Sequence, residues 1–209
     1  MADTDKRRKW VPVVAVAALI IDLLLVGYLL YVLWDRTSSS TEAPTSPTPA
    51  QAPMELWDAY GQAQAAAQAQ AKDAQLVSAS TQWSAVSEQA LLDGTSNWSF
   101  VFYSPANGDS VDVVVNAGTA QVVNQTRVWA APSSLAGEAW QAGPREALLV
   151  FLAYGGRAFL DGHPQATVDV HLAEGDEGGT VWTIVALDPE DRSLFSLLID
   201  AETRHVLSG

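Results

Sequence analysis

The longest apolar segment of the chain lies near its N-terminus. Residues 10–34 form a nearly unbroken apolar run of 25 residues, bracketed by Trp10 and Trp34. At a rise of about 1.5 Å per residue, a helix of this length exceeds the roughly 30 Å hydrocarbon core of a bilayer. Aromatic side chains favour the two membrane interfaces. The pattern therefore predicts a transmembrane helix that is held in the lipid bilayer from Trp10 to Trp34.

The charges beside this run predict its orientation. Residues 1–9 form a short tail with four consecutive basic residues, Lys6 to Lys9, whereas only Arg36 follows the run closely. An excess of basic residues marks the cytoplasmic side, so we expect a cytoplasmic N-terminus and an extracytoplasmic C-terminal region. A cleaved signal peptide is the alternative, but its apolar core usually has about 7–15 residues. Asp22 lies near mid-span, where a carboxylate is costly, and it is a candidate contact with a partner helix.

Beyond the apolar run, a linker and a weak internal repeat organise the chain. Residues 35–53 are rich in Ser, Thr and Pro and are predicted to form a stalk. Further on, the segments 98–105 and 182–189 each begin with Trp, continue as an apolar strand and end with Pro. The same offset of 84 residues aligns Asn116–Val122 with Asp200–Val206. The alignment predicts two similar units, 54–128 and 144–209, joined by a connector over 129–143.

Each predicted unit consists of one helix followed by four strands. Ala-rich periodicity and turn signals place the first helix at 56–73, with Trp57 and Tyr60 on its buried side, and the second at 144–160. The predicted strands are 76–83, 97–103, 111–116 and 120–128, and then 166–172, 181–187, 194–200 and 204–207. Gly155 and Gly156 predict a kink or a close-packing point in the second helix. The predicted fold class is α+β: a transmembrane helix, then two units, each with its helix packed on an antiparallel β-meander.

The second unit resembles the PepSY family. The segment Leu198–Val206 reads Leu-Ile-Asp-Ala-Glu-Thr-Arg-His-Val, which is similar to the strand–turn–strand motif of that family, with Arg204 in place of the usual Gly. The resemblance implies two tandem cystatin-like units, as in Gram-positive cell-wall-associated proteins that carry an N-terminal anchor. It also implies a non-catalytic, extracytoplasmic module for which peptidase inhibition or modulation of envelope enzymes has been proposed.

The composition of the chain excludes several kinds of site and partner. The chain has no cysteine, which excludes disulfides, thiolate zinc sites and cysteine nucleophiles. Beyond residue 36 there are six basic and twenty acidic residues, a net charge of about −14. Such a surface repels phosphate backbones, so no nucleic-acid partner is expected. We expect no cofactor.

The candidate catalytic and metal-ligating residues form no recognised motif. The three histidines, His163, His171 and His205, lack the spacing of a metal site, and no Gly-x-Ser-x-Gly sequence is present. No catalytic residue and no metal ligand is therefore predicted. Trp129 and Trp140 flank the connector, where they either seal an interface or form an exposed patch that contacts a partner.

These features favour binding over catalysis. We expect a membrane-anchored, extracytoplasmic binding or regulatory module that docks on another cell-envelope protein, such as a peptidase or a cell-wall enzyme, and that is not itself an enzyme. One alternative is a scaffold subunit of a secretion or conjugation machine. A second alternative is a hydrolase that uses two carboxylates brought together by the fold.

Overall fold

Four helices and eight strands make up the described part of this computed structural model, which covers residues 55–84, 87–95, 97–135 and 141–209. The helices are α1 (Leu56–Gln70), α2 (Glu88–Asp93), α3 (Pro144–Phe151) and α4 (Arg157–Gly162). The strands are β1 (Gln75–Ser84), β2 (Asn97–Ser104), β3 (Asp109–Asn116), β4 (Thr119–Arg127), β5 (Thr167–Glu174), β6 (Thr180–Leu187), β7 (Leu194–Asp200) and β8 (Val206–Ser208). Each of the eight strands predicted from the sequence overlaps one of these.

The membrane segment that the sequence predicts is not part of this description. The predicted transmembrane helix over 10–34 and the stalk over 35–53 both lie outside the described residues. Among the residues that are described, no helix is long and apolar enough to cross a membrane.

All eight strands belong to one antiparallel sheet, in the order β4-β3-β2-β1-β5-β6-β7-β8. The prediction of two units, each a helix on its own meander, is therefore wrong. The finding that overturns it is the pairing of β1 with β5, which runs from Ala79 opposite Leu172 to Ser84 opposite Thr167. Each of these strands was expected to be the edge of a separate meander, but their backbone groups are satisfied by each other.

The core lies on one face of the sheet, beneath the helices. Alternate side chains of the strands point to this face, as the buried positions Trp98, Phe100 and Phe102 of β2 show. Helix α1 packs against β2, β3 and β4, and α3 packs against β6 and β7. The buried stripe of α1 consists mainly of alanines, Ala59, Ala63 and Ala67, whose small side chains allow the helix to approach the sheet closely. Trp57, predicted to be buried, is exposed, whereas Tyr60 is half-buried against the core.

The predicted second helix is broken at its two glycines. An irregular turn, Leu152–Gly156, separates α3 from α4, and Gly155 has a φ of +120°. A Cβ atom on Gly156 would lie about 2.4 Å from the ring of Phe151, which is too close for any larger residue. The predicted kink is confirmed. It lets Phe151 and Phe159 both pack on Phe195, with ring centroids 5.5 and 6.1 Å away.

The segment that resembles the PepSY motif forms the turn between β7 and β8. Oδ1 of Asp200 accepts hydrogen bonds from the backbone N–H groups of Glu202 (3.0 Å) and Thr203 (2.6 Å) and from the Thr203 hydroxyl (2.8 Å). These bonds hold the pKa of Asp200 below its usual range, the Thr203 N–H having the largest effect. Arg204, at the position of the usual Gly, has a φ of +65°. The Asp and Thr of this motif therefore build a turn.

Candidate protein-binding surface

The two outer strands of the sheet differ greatly in length. β8 has three residues, whereas β4 has nine and pairs on one side only, with β3. Among the described residues, no strand lies along the other side of β4. An outer strand presents unpaired N–H and C=O groups that can pair with another chain, and a very short strand is one way in which proteins limit this. The long edge of β4 is therefore the part of the sheet best suited to pairing with a partner.

The chemistry of β4 also departs from that of the rest of the chain. No acidic residue occurs from 117 to 135, although the region beyond residue 36 contains twenty, and Arg127 is the only charged residue of β4. No proline lies within the strand. Val123 is the extra residue of a β-bulge, because Asp112 pairs with Asn124 while Val113 pairs with Val122. Its side chain is 55% exposed. The bulge is one of the features that protect an edge strand from pairing, but β4 has no Pro and only one charged residue, so it lacks two other common protections.

Polar side chains fix β4 on its inner neighbour. Asn124 Nδ2 donates to Oδ2 of Asp112 (2.9 Å), and Gln125 Nε2 donates to Oδ2 of Asp109 (3.1 Å). The guanidinium of Arg127 donates to the carbonyl of Asn107 (3.0 Å) and lies 4.0 Å from Asp109. All these bonds point towards β3 or the turn before it. They hold the strand in place while its outer backbone edge takes part in none of them.

Of the three residues predicted to contact a partner, only Trp129 lies among the described residues. Trp129 follows β4 after one residue, and it is fully exposed among the described residues, so it seals no interface between them. It forms instead an exposed aromatic surface beside the end of β4. Trp140 and Asp22 lie outside the described residues. Contact of any of the three with a partner stays a prediction.

A small pocket lies between the start of β2 and the helices. It has a volume of about 90 Å³, and its lining includes Trp83, Trp98, Leu91, Leu148 and Arg145. Trp98 is 3% exposed, and its indole Nε1 is buried without a hydrogen-bond partner among the described residues. Because Nε1 is sealed from solvent, a ligand in the pocket does not reach it without a rearrangement. The pocket is too small to hold a substrate of ordinary size.

One cluster of side chains could hold a metal ion. His163, Asp188 and Asp191 each place one ligand-type atom within 4.8 Å of the others. The sequence predicted no metal ligand, because His163 follows α4 whereas both aspartates lie in the turn between β6 and β7. No spacing along the chain indicates that these two places meet. The pKa of Asp191 is held below its usual range mainly by the hydrogen bond from the Ser193 N–H, and the His163 side chain also lowers this pKa.

Comparison with known proteins gives little further information. No family model matches the chain, and no curated protein matches it. One similar solved structure is that of a protein from Clostridium difficile 630, provisionally described as a lipoprotein. The alignment covers 71% of this chain and 90% of the other chain, with 13% sequence identity and a TM-score of 0.46. A similarity this low supports no conclusion about activity, and the PepSY resemblance has no support from a family model.

Proposed function

We propose that this chain is a membrane-anchored, extracytoplasmic binding or regulatory module that docks on another cell-envelope protein. The anchor and its orientation are supported by the apolar run over 10–34 and by the basic residues that precede it. The proposed act is binding and not catalysis. The observation that carries the proposal is the long edge of β4, which has no Pro and one charged residue, together with the exposed side chain of Trp129.

The proposed mode of docking is the addition of a strand from the partner to this edge. An extended peptide segment that pairs with an exposed edge gains main-chain hydrogen bonds, and its alternate side chains provide specificity. Val123 and Trp129 would supply the apolar contacts beside those bonds, since both are exposed. The absence of acidic residues over 117–135 removes local repulsion from an acidic partner, which the rest of this chain would repel.

The resemblance to PepSY domains adds a proposal about the identity of the partner. It favours a peptidase or another enzyme of the cell wall, whose activity the docked module would modulate. In the second predicted unit, where the resemblance is stronger, it rests on Leu198–Val206 alone. That segment lies at the end of the sheet opposite to β4. The proposal about the partner is thus independent of the proposal about the edge.

The edge is tested by placing a charge on it and on a matched position of the other edge. Val123→Lys puts an ammonium group on β4, and Leu207→Lys does the same on β8, where the native side chain is equally exposed at 55%. Each full-length variant is crosslinked in intact membranes, and the yield of the main crosslinked species is compared with that of the wild type. We expect Val123→Lys to reduce this yield at least about tenfold, because a charge on an edge opposes strand pairing.

The control decides what a loss means. Leu207→Lys should crosslink as the wild type does, because β8 is not the proposed docking edge. An unchanged yield in Val123→Lys would refute docking through β4. A loss in both variants would indicate a general effect of the added charge and would equally count against the edge.

A further inference from the structure

A second site lies far from β4 in sequence, where α4 meets the turn between β6 and β7. The imidazole of His163, just after α4, is half-buried and stacks on the ring of Phe159, with centroids 4.2 Å apart. Its Nδ1 lies 2.8 Å from the backbone carbonyl of Phe159. A carbonyl oxygen only accepts, so Nδ1 carries the proton and donates it. Nε2 is left as the free nitrogen of the ring.

That free nitrogen faces a carboxylate oxygen. Nε2 of His163 lies 3.4 Å from Oδ2 of Asp191. In this tautomer Nε2 and Oδ2 are both acceptor atoms that carry lone pairs, and a cation is the kind of group that bridges such a pair.

Asp188 adds a second carboxylate that lacks a counter-charge. It is only 6% exposed, and no Lys or Arg side chain of the described residues lies within salt-bridge distance of it. Its Oδ1 accepts from the Glu190 N–H (2.8 Å), and Oδ2 accepts no hydrogen bond from the described residues. Asp188 thus keeps one carboxylate oxygen without a hydrogen bond from the described residues, in the same cluster as His163.

Each of the three ligands is fixed through its other polar atom. The Phe159 carbonyl holds Nδ1 of His163, the Glu190 N–H holds Oδ1 of Asp188, and the Ser193 N–H holds Oδ1 of Asp191 at 2.7 Å. Outer contacts of this kind orient the ligands of metal sites, and a histidine that donates its second N–H to a carbonyl is typical of them. One imidazole nitrogen and one oxygen of each carboxylate take no part in these outer contacts.

We propose that His163, Asp188 and Asp191 bind a divalent transition-metal cation such as Zn²⁺. With bonds of about 2.0–2.2 Å, two ligand atoms of a tetrahedral ion lie about 3.4 Å apart. The His163–Asp191 pair already has this separation. All three atoms lie within 4.8 Å of one another, so no pair has to close by more than about 1.4 Å to reach the tetrahedral separation. The imidazole favours a transition metal over Ca²⁺ or Mg²⁺, which prefer oxygen ligands only.

The bound ion links the end of α4 to the β6–β7 turn and leaves one coordination position open. Three protein ligands are one fewer than a closed structural zinc site contains. Water or a side chain from the partner takes the fourth position. The site is independent of the docking edge, because neither β4 nor Trp129 contributes to it.

Titration of the full chain with ZnCl₂ tests the site. The protein is purified in detergent without an affinity tag, and binding is measured by isothermal calorimetry. We expect one site per chain, and we expect His163→Ala and Asp191→Asn each to raise the Kd at least about tenfold. His171→Ala is the matched control and should bind as the wild type does, because His171 lies exposed on the open face of the sheet. Circular dichroism shows whether each variant is folded.

Two results would overturn the site. One is the absence of saturable Zn²⁺ binding by the wild type. The other is a Kd that is the same in His163→Ala as in the wild type, which would place the zinc elsewhere. Asp191→Asn keeps this test valid if His163→Ala does not fold, because Asp191 is exposed.

Discussion

Two buried tryptophans provide a matched pair for testing how the core is stabilised. Trp98 begins the buried row of β2, and Trp182 lies in β6, at 3% and 0% exposure. The indole N–H of Trp182 donates to the carbonyl of Ala142 at 2.9 Å, whereas that of Trp98 has no partner in the part of the chain that the structure describes. Replacing each by Phe removes a comparable part of the ring from a comparable environment. The difference between the two variants therefore reports on the N–H group.

The two substitutions have opposite effects on the number of buried polar groups that lack a hydrogen bond. Trp182→Phe breaks a hydrogen bond and leaves the buried carbonyl of Ala142 unpaired, which costs about 1–3 kcal/mol. Trp98→Phe removes a buried donor that is unpaired, and this returns about 1–3 kcal/mol of its desolvation penalty. Both lose packing, a term that is similar in the two and largely cancels in the comparison. We expect Trp182→Phe to be less stable than Trp98→Phe by about 2 kcal/mol or more.

Urea unfolding measures this difference. Circular dichroism of the full chain in detergent is the suitable signal, because the chain has eight tryptophans and each substitution also changes the fluorescence. The free energies of unfolding are compared only if the slopes with urea agree. Equal destabilisation by the two variants would refute the reasoning. It would mean that Nε1 of Trp98 has a partner, such as an ordered water molecule.

Two further predictions concern the turn between β7 and β8. Arg204→Gly should raise the free energy of unfolding by about 0.5–1 kcal/mol in urea, because Arg204 has a φ of +65° that only Gly adopts without strain. The second concerns Asp200, whose pKa is lowered in the folded state, mainly by the Thr203 N–H. The unfolded chain then binds more protons near the ordinary pKa of 3.8, so this stabilisation is present above pH 3.8 and is lost as the pH falls through the folded pKa. Urea midpoints between about pH 2.5 and 6 should therefore depend less on pH in Asp200→Asn than in the wild type.

The local elements of this fold follow from the sequence because their signals are local. Alternating apolar residues and nearby turn residues located every strand, and the two glycines located the break between α3 and α4. Helix α2 was missed because it has only six residues. Its signal was present in Ser87, whose hydroxyl accepts from the Ala90 N–H at 3.3 Å and caps the helix.

The arrangement of these elements in one sheet cannot be predicted from the sequence patterns, because it depends on contacts between segments that are far apart in the chain. Nothing in the patterns of β1 and β5 distinguishes a strand at an edge from a strand paired across the middle of a sheet. The cluster of His163, Asp188 and Asp191 was not predicted for the same reason, since its two parts are separated in sequence by β5 and β6. The burial of Trp57 was also predicted wrongly, because it was expected on the buried side of α1 and is exposed.

Edge-to-edge pairing connects the fold with the proposed function. Within the chain, β1 and β5 join through six residue pairs, and the covalent connection keeps the two strands near each other. A partner strand on β4 would form the same bonds, but association costs an estimated 4–15 kcal/mol of translational and rotational freedom. Pairing with an edge that has few apolar side chains is therefore weak between freely diffusing molecules. If both proteins are held at one membrane, as we propose, the effective concentration of each rises and this cost falls. On this argument the anchor over 10–34 contributes to affinity as well as to location, and a chain released from the membrane should bind its partner more weakly through an unchanged surface.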